Sequence, residues 1–289
     1  MAHSLARCDD MYLLSRGSGE AILFLHGIPT SCRLWDGVIE RMLGQFTCMA
    51  VDLPGLGRTA EAAQSFRQLD ALAAKIEDLR TQCKIEKWHL VGHDAGCAIA
   101  VHYAHQFPEH VGRLALLTPS IFPELRPFSL FEMLRKRFLG EAMAPAINLL
   151  FWELVMRRVA HGNKDLIEMV KDFRAPFGGL RGAWRLMSLL RWGNPVDVLG
   201  PIPAMLPQLL MPALVVHGAT DPAVPSAFAT RASELIPNSE MVLLDSGHFL
   251  PMNEPERIAN ELLRFFGSDE DSLLKWDEVA VVATGRAVN

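Results

Sequence analysis

The sequence predicts an α/β domain: a mostly parallel central sheet with helices on both faces and an inserted helical segment. Three observations carry this. Short apolar runs alternate with stretches of helical spacing, as in successive βα units. Several of the runs end in glycine-containing turns. Between 118 and 213 no convincing strand appears, a gap too long for a loop inside a sheet protein.

Taken in order, Ala21–His26 (AILFLH) reads as a strand ending at Gly27. Phe46–Val51 is a second, followed by the turn-rich Asp52–Gly57 (DLPGLG). Helical spacing runs from about 65 to 83. Trp88–Gly92 is a strand that leads into His93-Asp94-Ala95-Gly96, and Cys97–Gln106 reads as a helix. Leu114–Thr118, Ala213–His217 and Met241–Leu244 are further strands, and Pro255–Phe266 is a closing helix. These divide the chain into a core, 1–120 and 206–267, and a helical insertion, 121–205. Breaks are expected within the insertion at Pro127, Pro145, Pro176 and Gly178-Gly179. The insertion should lie over the carboxyl ends of the strands, where open α/β sheets bind ligands. Seven of 13 methionines and three of six tryptophans fall in 121–211, which suits an apolar cavity wall as well as ordinary helix packing. The tail, 268–289, starts acidic and then carries VAVVA; its sequence does not choose between strand, docking arm and disorder.

Composition narrows the function. Half of the 289 residues are hydrophobic and 21% are charged, a globular mix. A net charge of -5 without a basic block argues against nucleic acid and for a small-molecule partner. Five scattered cysteines form no metal-binding pattern and read as buried thiols in a reducing compartment. No apolar stretch has signal-peptide or membrane-span character, so a cytoplasmic protein that does not enter a membrane is expected. No metal or nucleotide motif is visible: Gly17-Ser18-Gly19 precedes a strand rather than following one. The oligomeric state is not encoded in any pattern.

The strongest motif is Gly92-His93-Asp94-Ala95-Gly96 between a predicted strand and a predicted helix. A G-x-nucleophile-x-G turn raises one side chain at the top of the sheet, beside a helix N-terminus. With His26-Gly27-Ile28-Pro29, Trp35, Asp52-Leu53-Pro54-Gly55, Gly218-Ala219-Thr220-Asp221 and Ser246-Gly247-His248-Phe249, it resembles the α/β-hydrolase family. The resemblance covers about 20–120 and 210–267. Aspartate at the elbow places it nearest the branch that holds haloalkane dehalogenases, fluoroacetate dehalogenases and epoxide hydrolases.

The chemistry of that aspartate is distinct from serine chemistry. A carboxylate is already ionised at pH 7 and needs no base. Attack on a carbonyl would give an anhydride, whereas attack on saturated carbon displaces a leaving group and leaves an ordinary ester. The resemblance then implies Asp94 as nucleophile, His248 as the base that activates water, and Asp221 as the acid that orients His248. Glu124 is the fallback acid. Main-chain N–H groups of Ile28 and Ala95 are the expected oxyanion hole. His93 is expected to be structural. No cofactor is implied.

The chain departs from each subgroup in turn. Ala95 and Ile28 stand where haloalkane dehalogenases carry halide-binding side chains. A tryptophan of the insertion, with Trp152 and Trp184 the candidates for substrate contact and Trp192 a third, is the available donor. Ala95 and Ala98 stand where fluoroacetate dehalogenases carry arginines; Arg126, Arg174, Arg181 and Arg185 are the insertion's alternatives. Epoxide hydrolases use tyrosines in this insertion, and here the two tyrosines, Tyr12 and Tyr103, lie outside it, leaving His161 as a possible acid. The leading expectation is a dehalogenase-like hydrolase of a small apolar or halogenated substrate. Epoxide hydrolysis comes second, and non-hydrolytic chemistry or ligand binding on the same fold comes third.

Overall fold

The computed structural model describes residues 4–8, 11–59, 68–126, 136, 138–160, 164–192 and 195–267. The expectations for the tail, Pro127 and His161 lie outside them. Among the described residues eight strands form one sheet: β1 (Ser4–Cys8), β2 (Met11–Gly17), β3 (Glu20–Leu25), β4 (Phe46–Val51), β5 (Trp88–His93), β6 (Val111–Leu117), β7 (Ala213–Gly218) and β8 (Ser239–Leu244). Their spatial order is β1-β2-β4-β3-β5-β6-β7-β8. The pairs β1–β2 and β2–β4 are antiparallel and the rest are parallel. The inner strands are apolar on both faces, as a sheet covered by helices on each side requires: Ile22, Leu23, Phe24, Leu25, Leu90, Leu114 and Leu116 are fully buried.

The order of β4, β3 and β5 positions the site. From β3 the chain crosses through α1 (Asp36–Met42) to β4 on one side. It then returns through α2 (Leu69–Gln82) to β5 on the other side, and continues through α3 (Ala95–Gln106) to β6. Right-handed crossovers in opposite directions place α1 on one face and α2 and α3 on the other. The carboxyl ends of β3 and β5 therefore flank the topological switch point, where such sheets open a crevice.

The described residues of the long gap from 138 onward are mostly helical. Within it lie α4 (Leu139–Ala160), α5 (Lys164–Arg174), α6 (Gly179–Trp192) and the short α7 (Pro195–Leu199) and α8 (Ile202–Met205). A break does fall at Pro176 and Gly178-Gly179, between α5 and α6. The expected break at Pro145 does not occur: Pro145 lies inside the 22-residue α4. A proline removes one N–H and crowds one carbonyl, which a long helix packed on α6 absorbs. Two contacts tie these helices to loops at the carboxyl ends of strands. Arg33, after β3, pairs with Asp172 on α5. Arg185 on α6 donates from Nε to the Gly55 carbonyl, 3.1 Å away, in the loop after β4.

The chain closes with α9 (Ser226–Leu235), α10 (Leu250–Asn253) and α11 (Pro255–Gly267), the last packed against α1. On α11 the buried residues Ile258, Ala259, Leu262, Phe265 and Phe266 recur at helical spacing and face the core. Among the described residues, no helix is long and apolar enough to cross a membrane.

Candidate active site

Asp94 stands between β5 and α3 with φ 51° and ψ -120°. A non-glycine residue in that region is strained by about 1–3 kcal/mol and persists only where its surroundings hold it. Here the flanking glycines make the turn possible. A Cβ on Gly92 would lie 2.8 Å from the Cys97 backbone, and one on Gly96 would lie 2.3 Å from the Leu25 carbonyl. The elbow is thus wedged against both β3 and the first turn of α3.

The two oxygens of the Asp94 carboxylate have different partners. Oδ2 accepts from the Ile28 main-chain N–H at 3.2 Å, across the switch point. Oδ1 accepts from the Ser120 hydroxyl and lies 3.9 Å from Nε2 of His248. That separation exceeds a hydrogen bond, so the imidazole is near the carboxylate but not tied to it. Ala95, the other expected oxyanion donor, is the first residue of α3 and half-buried.

His248 sits between β8 and α10, with its side chain 12% exposed. Its Nδ1 is 2.9 Å from Oδ2 of Asp221. The carboxylate only accepts, so Nδ1 carries the proton and Nε2 keeps its lone pair. Asp221 follows β7 with its side chain fully buried. Its other oxygen accepts from the N–H groups of Ala223 at 2.7 Å and Val224 at 3.1 Å. Burial opposes the Asp221 charge, but the His248 contact and these two N–H groups outweigh it and hold the carboxyl below its usual range. Burial also opposes the imidazolium of His248. The bond to Asp221 and the neighbouring Asp94 charge outweigh it, and His248 lies above the ordinary histidine value.

His93 is packed beneath the loop that carries His248. Its Nε2–H donates to the His248 carbonyl at 2.9 Å, and Trp35 meets its ring edge-on. Burial first, then the charge of His248, push it down to about 4, so it is neutral at pH 7. His26 has a parallel role on the β3 side: its Nε2 accepts from Leu53 N–H at 3.0 Å, joining the loops after β3 and β4.

The remaining sequence candidates lie elsewhere or are occupied. Glu124 is exposed and paired with Arg231 at 3.1 Å. The expectation that Trp152 supplies an N–H to substrate does not match its surroundings: it is buried, donates to Asn148 Oδ1 at 3.0 Å, and stacks on Phe177. Trp184 is 54% exposed. Arg126, Arg174 and Arg181 are exposed, whereas Arg185 is half-buried against the loop after β4. Tyr103 donates to Glu77 at 2.7 Å, and Tyr12 meets Arg58. Ser120 is the site residue that sequence reasoning missed. Its only signal is its place two residues after the turn at Thr118, since a serine in Thr-Pro-Ser matches no motif. Among the described residues, no group of three or more His, Cys, Asp or Glu side chains could hold a metal.

Similar proteins agree on the fold and differ in chemistry. The chain is 25% identical over 254 residues to the pimeloyl-[acyl-carrier protein] methyl ester esterase of Nitrosomonas europaea, covering 86% of this chain and 97% of that protein. It superposes on haloalkane dehalogenase DbeA of Bradyrhizobium elkani with a TM-score of 0.70 and 25% identity, covering 89% and 94% of the two chains. Epoxide hydrolase CorEH gives a TM-score of 0.73 at 22% identity, covering 92% and 98%. Residues 22–261 match the alpha/beta hydrolase family as a whole. That span runs from β3 to α11 and takes in the elbow, Asp221 and His248, so the chain belongs to the alpha/beta hydrolase family.

Proposed function

We propose that this hydrolase uses Asp94 to displace a leaving group from saturated carbon, through a covalent alkyl ester, on a small apolar or halogenated substrate. The observation that carries the reading is the arrangement about Asp94. One carboxylate oxygen is held by Ile28 N–H, and the other is 3.9 Å from a histidine whose far nitrogen is fixed by a buried carboxylate. Asp94 Oδ1 attacks carbon and the C–X bond breaks with its electron pair on X. His248 Nε2 then takes a proton from water, and the hydroxide adds to Cγ of the ester. Charge moves onto Oδ2, where Ile28 N–H and the adjacent Ala95 N–H are the donors.

Acyl-ester hydrolysis, the activity in the name of the esterase relative, fits less well. Aspartate attacking a carbonyl would make an anhydride rather than an ester. The likeness to a haloalkane dehalogenase favours carbon–halogen chemistry. Epoxide opening shares the first half-reaction but needs an acid for the departing oxygen, and neither tyrosine is placed for it. In this reading α4–α6 form a cap, and the contacts of Arg33 and Arg185 close its edge.

The test is intact-protein mass of His248→Ala after incubation with 1-bromobutane, bromoacetate or 1,2-epoxybutane. The alkyl ester should accumulate, and Asp94→Asn in the same background should abolish it. A gain equal to substrate minus hydrogen bromide supports dehalogenation. A gain equal to the whole epoxide transfers the assignment to epoxide hydrolysis. No Asp94-dependent adduct with any of the three overturns the reading.

A further inference from the structure

Among the described residues, Ser120 is the one side chain bonded to Asp94 that the reaction above leaves without a task. It lies beyond the carboxyl end of β6, where Thr118 takes φ 45° and the chain turns through Pro119. Ser120 is 4% exposed. Its hydroxyl donates to Oδ1 of Asp94, because an ionised carboxylate has no proton to give. The bond therefore falls on the oxygen nearest His248 and not on Oδ2, which Ile28 N–H holds.

The choice of oxygen has a chemical consequence. Oδ1 is the nucleophile of the first half-reaction and becomes the bridging oxygen of the ester. When hydroxide has added to Cγ, the adduct collapses by breaking the Cγ–Oδ1 bond, and the electron pair goes to Oδ1. That oxygen leaves in the product alcohol, and the oxygen from water stays on Asp94. The proton that His248 took from water passes to the departing alkoxide. The new carboxylic acid loses its own proton to solvent and Asp94 is ionised again. A hydroxyl aimed at Oδ1 thus moderates the nucleophile in the first half and stabilises the leaving oxygen in the second.

We propose that Ser120 is the hydrogen-bond donor to the leaving alcohol oxygen in ester hydrolysis, and so sets the rate of the second half-reaction. This rests on Asp94 as the nucleophile. Ile28 N–H serves Oδ2 and His248 returns the proton, so Ser120 completes a donor set in which both original carboxylate oxygens have a partner in the tetrahedral adduct. Loss of one donor to a developing oxyanion slows a step by about 10²–10³-fold. The Ser120 bond also benefits the resting carboxylate, so the expected net slowing is about 10- to 100-fold.

The experiment separates the half-reactions with the probe that alkylates His248→Ala. In that background, adding Ser120→Ala should leave the rate of ester formation unchanged or raise it. In the enzyme with His248 intact, Ser120→Ala should build up the alkyl ester during turnover, and the isolated ester should decay about 10- to 100-fold more slowly than in the parent. Ser120→Thr, which keeps the hydroxyl, should recover much of that decay. Slower ester formation with unchanged decay would make Ser120 only a holder of the nucleophile and overturn the proposal. Unchanged rates in both halves would do the same. An absence of adduct even in His248→Ala would mark the failure of the nucleophile reading itself. Circular dichroism and thermal unfolding of Ser120→Ala check that the fold persists.

Discussion

Gly27 and Asp94 occupy one space. A Cβ built on Gly27 would lie 2.6 Å from both Cβ and Oδ2 of Asp94. The loop after β3 can approach the elbow only without a side chain, and that approach delivers the Ile28 N–H to the carboxylate. Gly27→Ala should push the carboxylate off its donor and away from His248. Displacement by about 1 Å is enough to reduce turnover about 10²-fold, while overpacking should destabilise the fold by only about 1–3 kcal/mol. Steady-state turnover and urea unfolding of the variant check both halves. A fully active Gly27→Ala would show that the contact does not align Asp94.

Asp221 and Glu124 make opposite predictions. Asp221 is fully buried and bonded to Nδ1 of His248, whereas Glu124 is exposed and paired with Arg231. Asp221→Asn turns an acceptor into a group that can present N–H to the imidazole, favouring the wrong tautomer. Turnover should fall on the order of 10⁴-fold, as for the equivalent change in a serine triad. Glu124→Gln should leave turnover unaltered. Measuring both variants with one substrate identifies the acid directly, and a loss confined to Glu124→Gln would reverse the assignment.

The pH profile of ester hydrolysis follows from the same contacts. In the proposed reaction His248 acts as a base only when neutral, and in the resting enzyme its proton is held more tightly than in an ordinary histidine despite burial. Esterification removes the Asp94 charge, one of the contributions that raise His248, so the rate of ester decay should rise with pH through a midpoint below that of His248 in the resting enzyme. Stopped-flow decay of the alkyl-enzyme between pH 5 and 9 locates this midpoint, and NMR titration of His248 in the free enzyme supplies the reference; a decay midpoint at or above the reference would contradict the electrostatic account of His248.

Much of this site is legible in the sequence because each main element leaves a local trace. The glycines of Gly92-His93-Asp94-Ala95-Gly96 are forced by backbone contacts, so they persist as a pattern. Asp221 and His248 sit directly after strands, where side chains reach the carboxyl edge of the sheet. The hairpin β1–β2 is hidden because Met11–Gly17 mixes apolar and polar residues without clean alternation, being an inner strand on an antiparallel edge. Ser120 is hidden for a different reason. Its place beside Asp94 depends on Thr118 turning the chain back toward that residue, a tertiary relationship with no sequence period. Trp152 misled because an indole suits a halide site and a helix interface equally well, and its N–H goes to Asn148.

That Trp152–Asn148 pair predicts a stability defect rather than a catalytic one. Asn148 Nδ2 donates to the Phe177 carbonyl at 2.9 Å, and its Oδ1 accepts the indole N–H. The bridge joins α4 to the turn before α6. Trp152→Phe keeps an aromatic ring against Phe177 but leaves the buried Asn148 Oδ1 without its donor. The expected destabilisation is about 1–3 kcal/mol. Urea unfolding should show this loss, and ester formation in the His248→Ala background should stay within about twofold of its parent. A selective collapse of ester formation at unchanged stability would instead return Trp152 to the substrate site.

His93 and His248 lie with ring centroids 5.1 Å apart and are pushed in opposite directions. Their contributions to stability therefore have opposite signs. His248, raised, stabilises the fold most below its unfolded value of 6.5, and loses that contribution as pH rises through its folded value. His93, lowered to about 4, stays neutral in the fold while the unfolded chain takes up a proton below 6.5. Between 6.5 and about 4 the unfolded state binds more protons at this position, so the His93 contribution falls as pH falls, on the order of 1 kcal/mol per pH unit. Asp221 adds nothing in this window, because its carboxyl is lowered from a usual value already below 4. His93→Gln retains an N–H for the His248 carbonyl but does not titrate. Urea unfolding of the parent and His93→Gln at pH 7, 6 and 5 should show the parent losing stability faster toward acid. A stability difference between the two that stays constant with pH would mean that His93 takes up its proton in the fold as readily as in the unfolded chain, and that it does not support the His248 loop as a neutral donor.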